Sequence, residues 1–156
     1  MITAERKSKL YIQFYIDDNR FALPAGDVIA VSPVVSLHDV PHAPEYVAGI
    51  FNYRGTPVPV IDMTALMAKH KTHNRLSTRI VLIQITTTKN QQRTIGLLAE
   101  KVTEVMRIDE SQFHDPGLKN KKTKYLGDVM TDSRGILQRL KITEILPKSA
   151  QDMLFN

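Results

Sequence analysis

Two segments of this 156-residue chain repeat one another at a fixed spacing, and that spacing limits the folds open to it. Residues 21–31 (FALPAGDVIAV) align with 95–105 (IGLLAEKVTEV) at an offset of 74 positions, matching Leu23 with Leu97, Ala25 with Ala99, Val28 with Val102 and Val31 with Val105. Two further blocks keep the same order. Lys9-Leu10-Tyr11-Ile12 is echoed by Arg79-Ile80-Val81-Leu82, and Tyr46-Val47-Ala48-Gly49 with Arg54-Gly55 by Tyr125-Leu126-Gly127 with Arg134-Gly135. Two copies are too few for a solenoid, which needs about three stacked repeats. The order predicts a single domain over 8–148 made of two related β lobes, with repeat halves near 9–62 and 79–140. The ends, 1–7 and 149–156, are expected to be flexible or short helices.

Within the copies the patterns are those of strands. Leu10, Ile12, Phe14 and Ile16 alternate with Tyr11, Gln13, Tyr15 and Asp17, the period of a strand with one buried face. Turn residues Asp17-Asp18-Asn19-Arg20 predict a hairpin into Phe21-Ala22-Leu23. Residues 28–31 and 58–61 are short apolar runs, and 78–86 (TRIVLIQIT) is apolar on both faces, as in a strand covered on two sides. Helices are minor: one turn at 44–49 ending at Gly49, a helix over 63–68 capped by Asp62, and short pieces at 144–146 and 151–155 separated by Pro147. Short strands with Gly and Pro turns indicate a mainly β fold of small barrels.

Residues 41–62 place Arg54-Gly55 as a turn between two short apolar strands, with prolines on either side. Pro57 and Pro59 cannot donate to a central ladder, so their strand lies at an edge or enters one. Arg54 sits where the backbone needs positive φ, a geometry that presents its side chain to a partner. The alternative is an arginine that pairs with Asp62 or another carboxylate and pins the turn.

Candidate chemistry does not assemble. His70 and His73 have a ligand-like helical spacing but sit among Lys69, Lys71 and Arg75, whose charges oppose a cation. His38, His42 and His114 have no paired spacing, and His114-Asp115-Pro116 reads as a turn. The pairs Asp17-Asp18 and Asp109-Glu110 are turn formers. No nucleophile elbow, zinc-protease, phosphate-loop or dinucleotide pattern is present, so neither catalytic residues nor a cofactor or metal is expected. Without cysteine there is no disulfide framework or thiolate site. No apolar run reaches the ~18–20 residues of a membrane span, and no signal-peptide core precedes the first strand, which predicts a cytoplasmic protein.

A formal net charge of +5 suits solubility and attraction to an acidic partner without requiring nucleic acid. The sharpest charge feature is the loop 119–124 (KNKKTK). It supports an alternative, a small-barrel nucleic-acid binder, although only Tyr125 lies beside it as a stacking aromatic.

The residues Phe21-Ala22-Leu23-Pro24, Pro41-x-x-Pro44, Gly49-x-x-Asn52-x-Arg54-Gly55, Val58-Pro59-Val60-Ile61-Asp62, Ile95-Gly96-Leu97-Leu98, Tyr125-Leu126-Gly127 and Ile145-Leu146-Pro147, in this order, resemble the CheW-like family of chemosensory coupling proteins. The resemblance implies two intertwined five-stranded SH3-like barrels sharing a hydrophobic core, and no enzymatic activity. It also implies an adaptor that couples methyl-accepting chemoreceptors to the regulatory domain of a CheA-type histidine kinase, itself CheW-like. Such an adaptor works in the cytoplasm at membrane-associated receptor arrays, where related ends can close into rings with kinase or further adaptor copies. By position, Arg54, Asn52, Gly49, Val28, Val102 and Val105 are the expected protein-binding residues. Ala30 stands where the family commonly carries a glutamate, which Glu104 supplies in the second copy.

Overall fold

The computed structural model describes residues 8–118 and 120–155, with the backbone alone at 103 and 104. The expectations for 1–7, for Asn156, for Lys119 and for the Glu104 side chain therefore lie outside the described residues. Among the described residues nine strands and two short helices make the fold mainly β. In chain order they are β1 (Ser8–Ile16), β2 (Asn19–Pro24), β3 (Val28–Pro33), β4 (Val47–Tyr53), β5 (Thr56–Asp62), α1 (Met63–Ala68), β6 (Arg79–Thr86), β7 (Gln92–Asp109), β8 (Leu126–Asp132), β9 (Gly135–Leu140) and α2 (Lys148–Phe155).

Strand pairing yields two groups of five, consistent with the small barrels expected. One lobe runs β7–β1–β2–β9–β8, the other β3–β6–β7–β5–β4. Each contains antiparallel hairpins and one parallel contact, β2 with β9 and β5 with β7. The lobes interlock because β7 serves both. Its first half pairs with β6 (Ala99 with Arg79) and its second with β1 (Asp109 with Ser8). Lys101, at φ 54°, lies where β7 changes lobes; the 3-10 turn Ala25–Asp27 makes the same transfer between β2 and β3. Each lobe gains one further contact through a reciprocal bridge, His38 with Ile50 in one and His114 with Val129 in the other.

Packing follows from this interlock. Phe14, Leu23, Ile61, Val81, Ile83, Ile95 and Leu97 come from strands of both lobes and form one common core. Tyr11, Ala22, Ile108, Met130 and Leu137 fill the first lobe; Phe51, Val58, Val60, Ile80 and Leu82 fill the second. β6 alternates between the common core and its own lobe, which is why 78–86 is apolar throughout.

Several sequence expectations need correction. β1 is buried on both faces, because Tyr11 and Gln13 point into a lobe interior where Glu110, Arg139 and Arg20 meet their polar atoms. The register pairs Tyr11 with Pro24 and Ile80 with Leu98, so Tyr11, not Leu10, is the counterpart of Ile80. Leu10 shares its face with the buried Ile12, Phe14 and Ile16 but lies near the uncovered start of the strand, 43% exposed. The second hairpin slips likewise: its loop is Ser133-Arg134, between the Asp132–Gly135 pair, whereas Arg54-Gly55 lies between Tyr53 and Thr56. Residues 44–49 form no helix; a Pro44 turn leads straight into β4. The last helix spans Lys148–Phe155, and the piece before it is a 3-10 turn at Ile142–Glu144.

Candidate functional site

The β4–β5 hairpin carries three of the expected residues. Arg54 (φ 51°) and Gly55 (φ 85°) both adopt positive φ, the twist that a two-residue hairpin loop needs. The Asn52 carboxamide accepts from the Gly55 amide at 2.9 Å and fixes that loop. Arg54 does not pair with Asp62. Its guanidinium stands 5.2 Å from the Tyr53 ring centroid and is exposed at the tip. Asp62 instead caps α1, accepting from Ala65 N at 3.0 Å, and takes the amide and hydroxyl of Thr72. The prolines sit as expected. Along 57–59 β5 pairs with β4 alone, and it gains its second neighbour, β7, only from Val60 onward.

Gly49 contributes shape. It lies in β4 at φ 147° beside a register shift, under the His38–Ile50 bridge. A Cβ there meets His38 O and Leu37 Cβ at 2.8 Å. Only glycine lets the two segments approach so closely.

The three valines separate. Val28 and Val102, at matching positions beside the two lobe transfers, pack half-buried against the common core. Val105 faces solvent, 62% exposed. It is opposite Ile12, and Leu10 is opposite Arg107, so the four share one face of the β1–β7 ladder, on which Leu10, Val105 and Arg107 are exposed and Ile12 is buried. Sequence reasoning missed Leu10, which is exposed because the start of β1 is left uncovered while Ile12, Phe14 and Ile16 on the same face are buried. Val31, the counterpart of Val105, is 44% exposed on the other lobe.

Polar clusters elsewhere are internally satisfied. Glu110 takes Lys9 at 3.2 Å and Arg139 at 3.2 Å, and Arg139 also reaches Asp128 at 2.9 Å. Burial pushes the Tyr11 hydroxyl within this group above its ordinary pKa. His70 and His73 lie past the end of α1, not on a helix. Asp115 accepts from Gly117 N, and His114 uses its backbone in the bridge to Val129, so this pair shapes a turn. Among the described residues no three or more His, Cys, Asp or Glu converge as metal ligands. In the basic loop, Lys121–Thr123 form a 3-10 turn capped by Asn120, while Tyr125 is buried and its hydroxyl pKa is raised by that burial. No helix among the described residues is long and apolar enough to cross a membrane.

The geometry is therefore that of two separate surfaces, an arginine-tipped hairpin on one lobe and a strand face with exposed Leu10, Val105 and Arg107 on the other. The chain is 26% identical over 106 residues to the chemotaxis protein CheW of Helicobacter pylori, a match covering 68% of this chain and 61% of that protein. It is 27% identical over 127 residues to the chemotaxis protein CheW of Thermotoga maritima, covering 81% and 80%. The match to the first thus spans about three fifths of that relative's length. Among solved structures, the scaffolding protein TtCheW from Thermoanaerobacter tengcongensis superposes with a TM-score of 0.80 at 26% identity, covering 95% of this chain and 94% of that one. The family model for the CheW-like domain matches residues 10–150, and the chain belongs to that family.

Proposed function

We propose that this chain is a non-enzymatic scaffold that couples the cytoplasmic tip of a methyl-accepting chemoreceptor to the regulatory domain of a CheA-type histidine kinase. In this reading it acts as a single domain over 8–148, with halves 9–62 and 79–140, in the cytoplasm at receptor arrays. The observation that carries it is the exposed Arg54 at a hairpin tip whose backbone is fixed by Asn52, on a chain of CheW-like family. Arginine on a preset loop offers several directed bonds at little entropic cost. The exposed Leu10 and Val105, with Arg107 on the same face of the β1–β7 ladder, supply a second, chemically different surface on the other lobe.

The test is capture of a receptor cytoplasmic fragment and a kinase regulatory domain by the purified chain, singly and together. Retention of both in one complex is expected. Retention of neither overturns the proposal. Nothing among the described residues favours nucleic acid: Tyr125, the aromatic that adjoins the basic loop in sequence, is buried.

A further inference from the structure

The connection between α1 and β6, residues 69–78, is fastened along its length to the rest of the fold. Thr72 is bonded through its amide and hydroxyl to the buried Asp62. The Thr78 hydroxyl accepts from Arg75 N and donates to His73 O, and Ser77 O accepts from Val102 N. Glu100, buried on β7, receives Arg75 Nε at 3.3 Å and lies 3.6 Å from His73 Nδ1. The first part of this connection walls a cavity of about 570 Å³, whose far side is the 39–48 segment.

His70 holds the exposed end. Its Nε2 is 2.8 Å from Asp17 Oδ1, in the β1–β2 turn, and its Nδ1 is 3.1 Å from Lys71 O. A carboxylate and a carbonyl are both acceptors only. A neutral imidazole has a single N–H and can satisfy one of them; the imidazolium satisfies both. The arrangement is built for the protonated ring.

We propose that residues 69–78 form an acid-fastened strap, latched by protonated His70 across Asp17 and loosened over the cavity when His70 loses its proton. Charges around the latch set its direction. Asp17 favours imidazolium from the β1–β2 turn, as does Glu100 from β7. Asp18 adjoins Asp17, and the cations Lys69, Lys71 and Arg75 on the strap and Lys101 on β7 are the charges of opposite sign on these elements. Across the cavity stand Asp39 and Glu45, and Asp62 lies at its wall. The hydrogen bond with Lys71 O, then that with Asp17, raises the His70 pKa above its ordinary value. A raised histidine stabilises its folded contacts below the unfolded pKa and gives up that stabilisation as pH rises through the folded one. The His70 end of the strap is thus held more firmly at mildly acidic pH and loosened on the alkaline side, while Asp62, Glu100 and Val102 keep their contacts to the rest of it.

The experiment follows the histidine rings and backbone amides of the full chain by NMR, in the wild type, Asp17→Asn and His70→Gln. His70 is expected to titrate above a free imidazole and at lower pH in Asp17→Asn. Corrected for intrinsic rates, exchange of the Thr72 amide should be about two- to fivefold slower near pH 5.5 than near pH 8, the range of an exposed ion pair. That difference should vanish in both variants. An unchanged His70 midpoint in Asp17→Asn, or equal Thr72 exchange at the two pH values in the wild type, overturns the latch. His70→Gln keeps the test open should Asp17→Asn fail to fold.

Discussion

Arg20 on β2 grips Asp132 at the end of β8 through two parallel bonds, Nη2 to Oδ1 at 2.6 Å and Nη1 to Oδ2 at 3.2 Å. The same guanidinium donates to Gly135 O and to Gln13 Oε1, and its side chain is 3% exposed. The loop of the β8–β9 hairpin is thereby tied to the lobe interior. In the other lobe the position 74 residues after Arg20 is Thr94, and the Arg54 loop is held locally by Asn52. One hairpin is anchored and the other is presented.

This grip sets a pH dependence. Burial alone would raise the Asp132 carboxyl, but the Arg20 hydrogen bond, the Arg134 amide and the charges of both arginines outweigh it, so the pKa lies below its ordinary value. A depressed aspartate contributes stability above its unfolded pKa and loses it as pH falls through the folded one. Denaturation midpoints of the wild type should therefore drop as pH falls below about 4, and Asp132→Asn should flatten that limb. Parallel limbs in the two proteins would remove the role. Arg20→Met should cost about 2 kcal/mol at neutral pH, less than breaking a fully buried pair, since Asp132 keeps 26% of its side chain exposed.

Gly49→Ala tests the bridge that it lies under. The new Cβ collides with backbone and side chain at 2.8 Å, at a φ that L residues rarely adopt. A loss of about 2–3 kcal/mol in chemical denaturation is expected. A loss below about 0.5 kcal/mol would show that the 37–38 segment can move aside.

The valines divide the apolar positions into core and surface. Val102→Ser should destabilise by about 1–2 kcal/mol, because it places a hydroxyl against the common core. Val105→Ser should change stability by less than about 0.5 kcal/mol and weaken partner capture. Equal destabilisation by both would make Val105 structural.

Much of this was legible because the repeat and the turn chemistry are local. The 74-residue offset aligned the two segments in which the lobe transfers lie, Asp62 read correctly as a helix cap, and Arg54-Gly55 as a positive-φ turn. The failures have one physical source. Leu10 reads as inward because the pattern does not show that the start of the strand is left uncovered. Tyr11 reads as outward because alternation shows one buried face and not the second, which residues such as Ile108, Met130 and Leu137, far along the chain, cover. Gly49 reads as a helix end for the same reason, since the bridge that demands glycine comes from His38. Arg20 has no local signal. Its partner lies 112 positions away, and a turn arginine looks solvent-exposed until β9 closes beside it.

Arg54→Ala is the sharpest test of the presented hairpin. Its guanidinium is exposed, makes no ion pair with Asp62 and lies over the Tyr53 ring, so removal leaves no buried charge among the described residues. Stability should fall by no more than about 0.5 kcal/mol. Asn52 still holds the loop, and any residue that replaces Arg54 meets the same positive φ. Against a kinase regulatory domain or a receptor fragment the loss should be about 2 kcal/mol or more, near thirtyfold in Kd, as for an interface hot spot. Titration calorimetry with each partner separates the outcomes. Loss with one partner assigns the hairpin to that interface; unchanged affinity for both refutes its role in docking; and a large fall in stability alongside the affinity loss returns Arg54 to the scaffold.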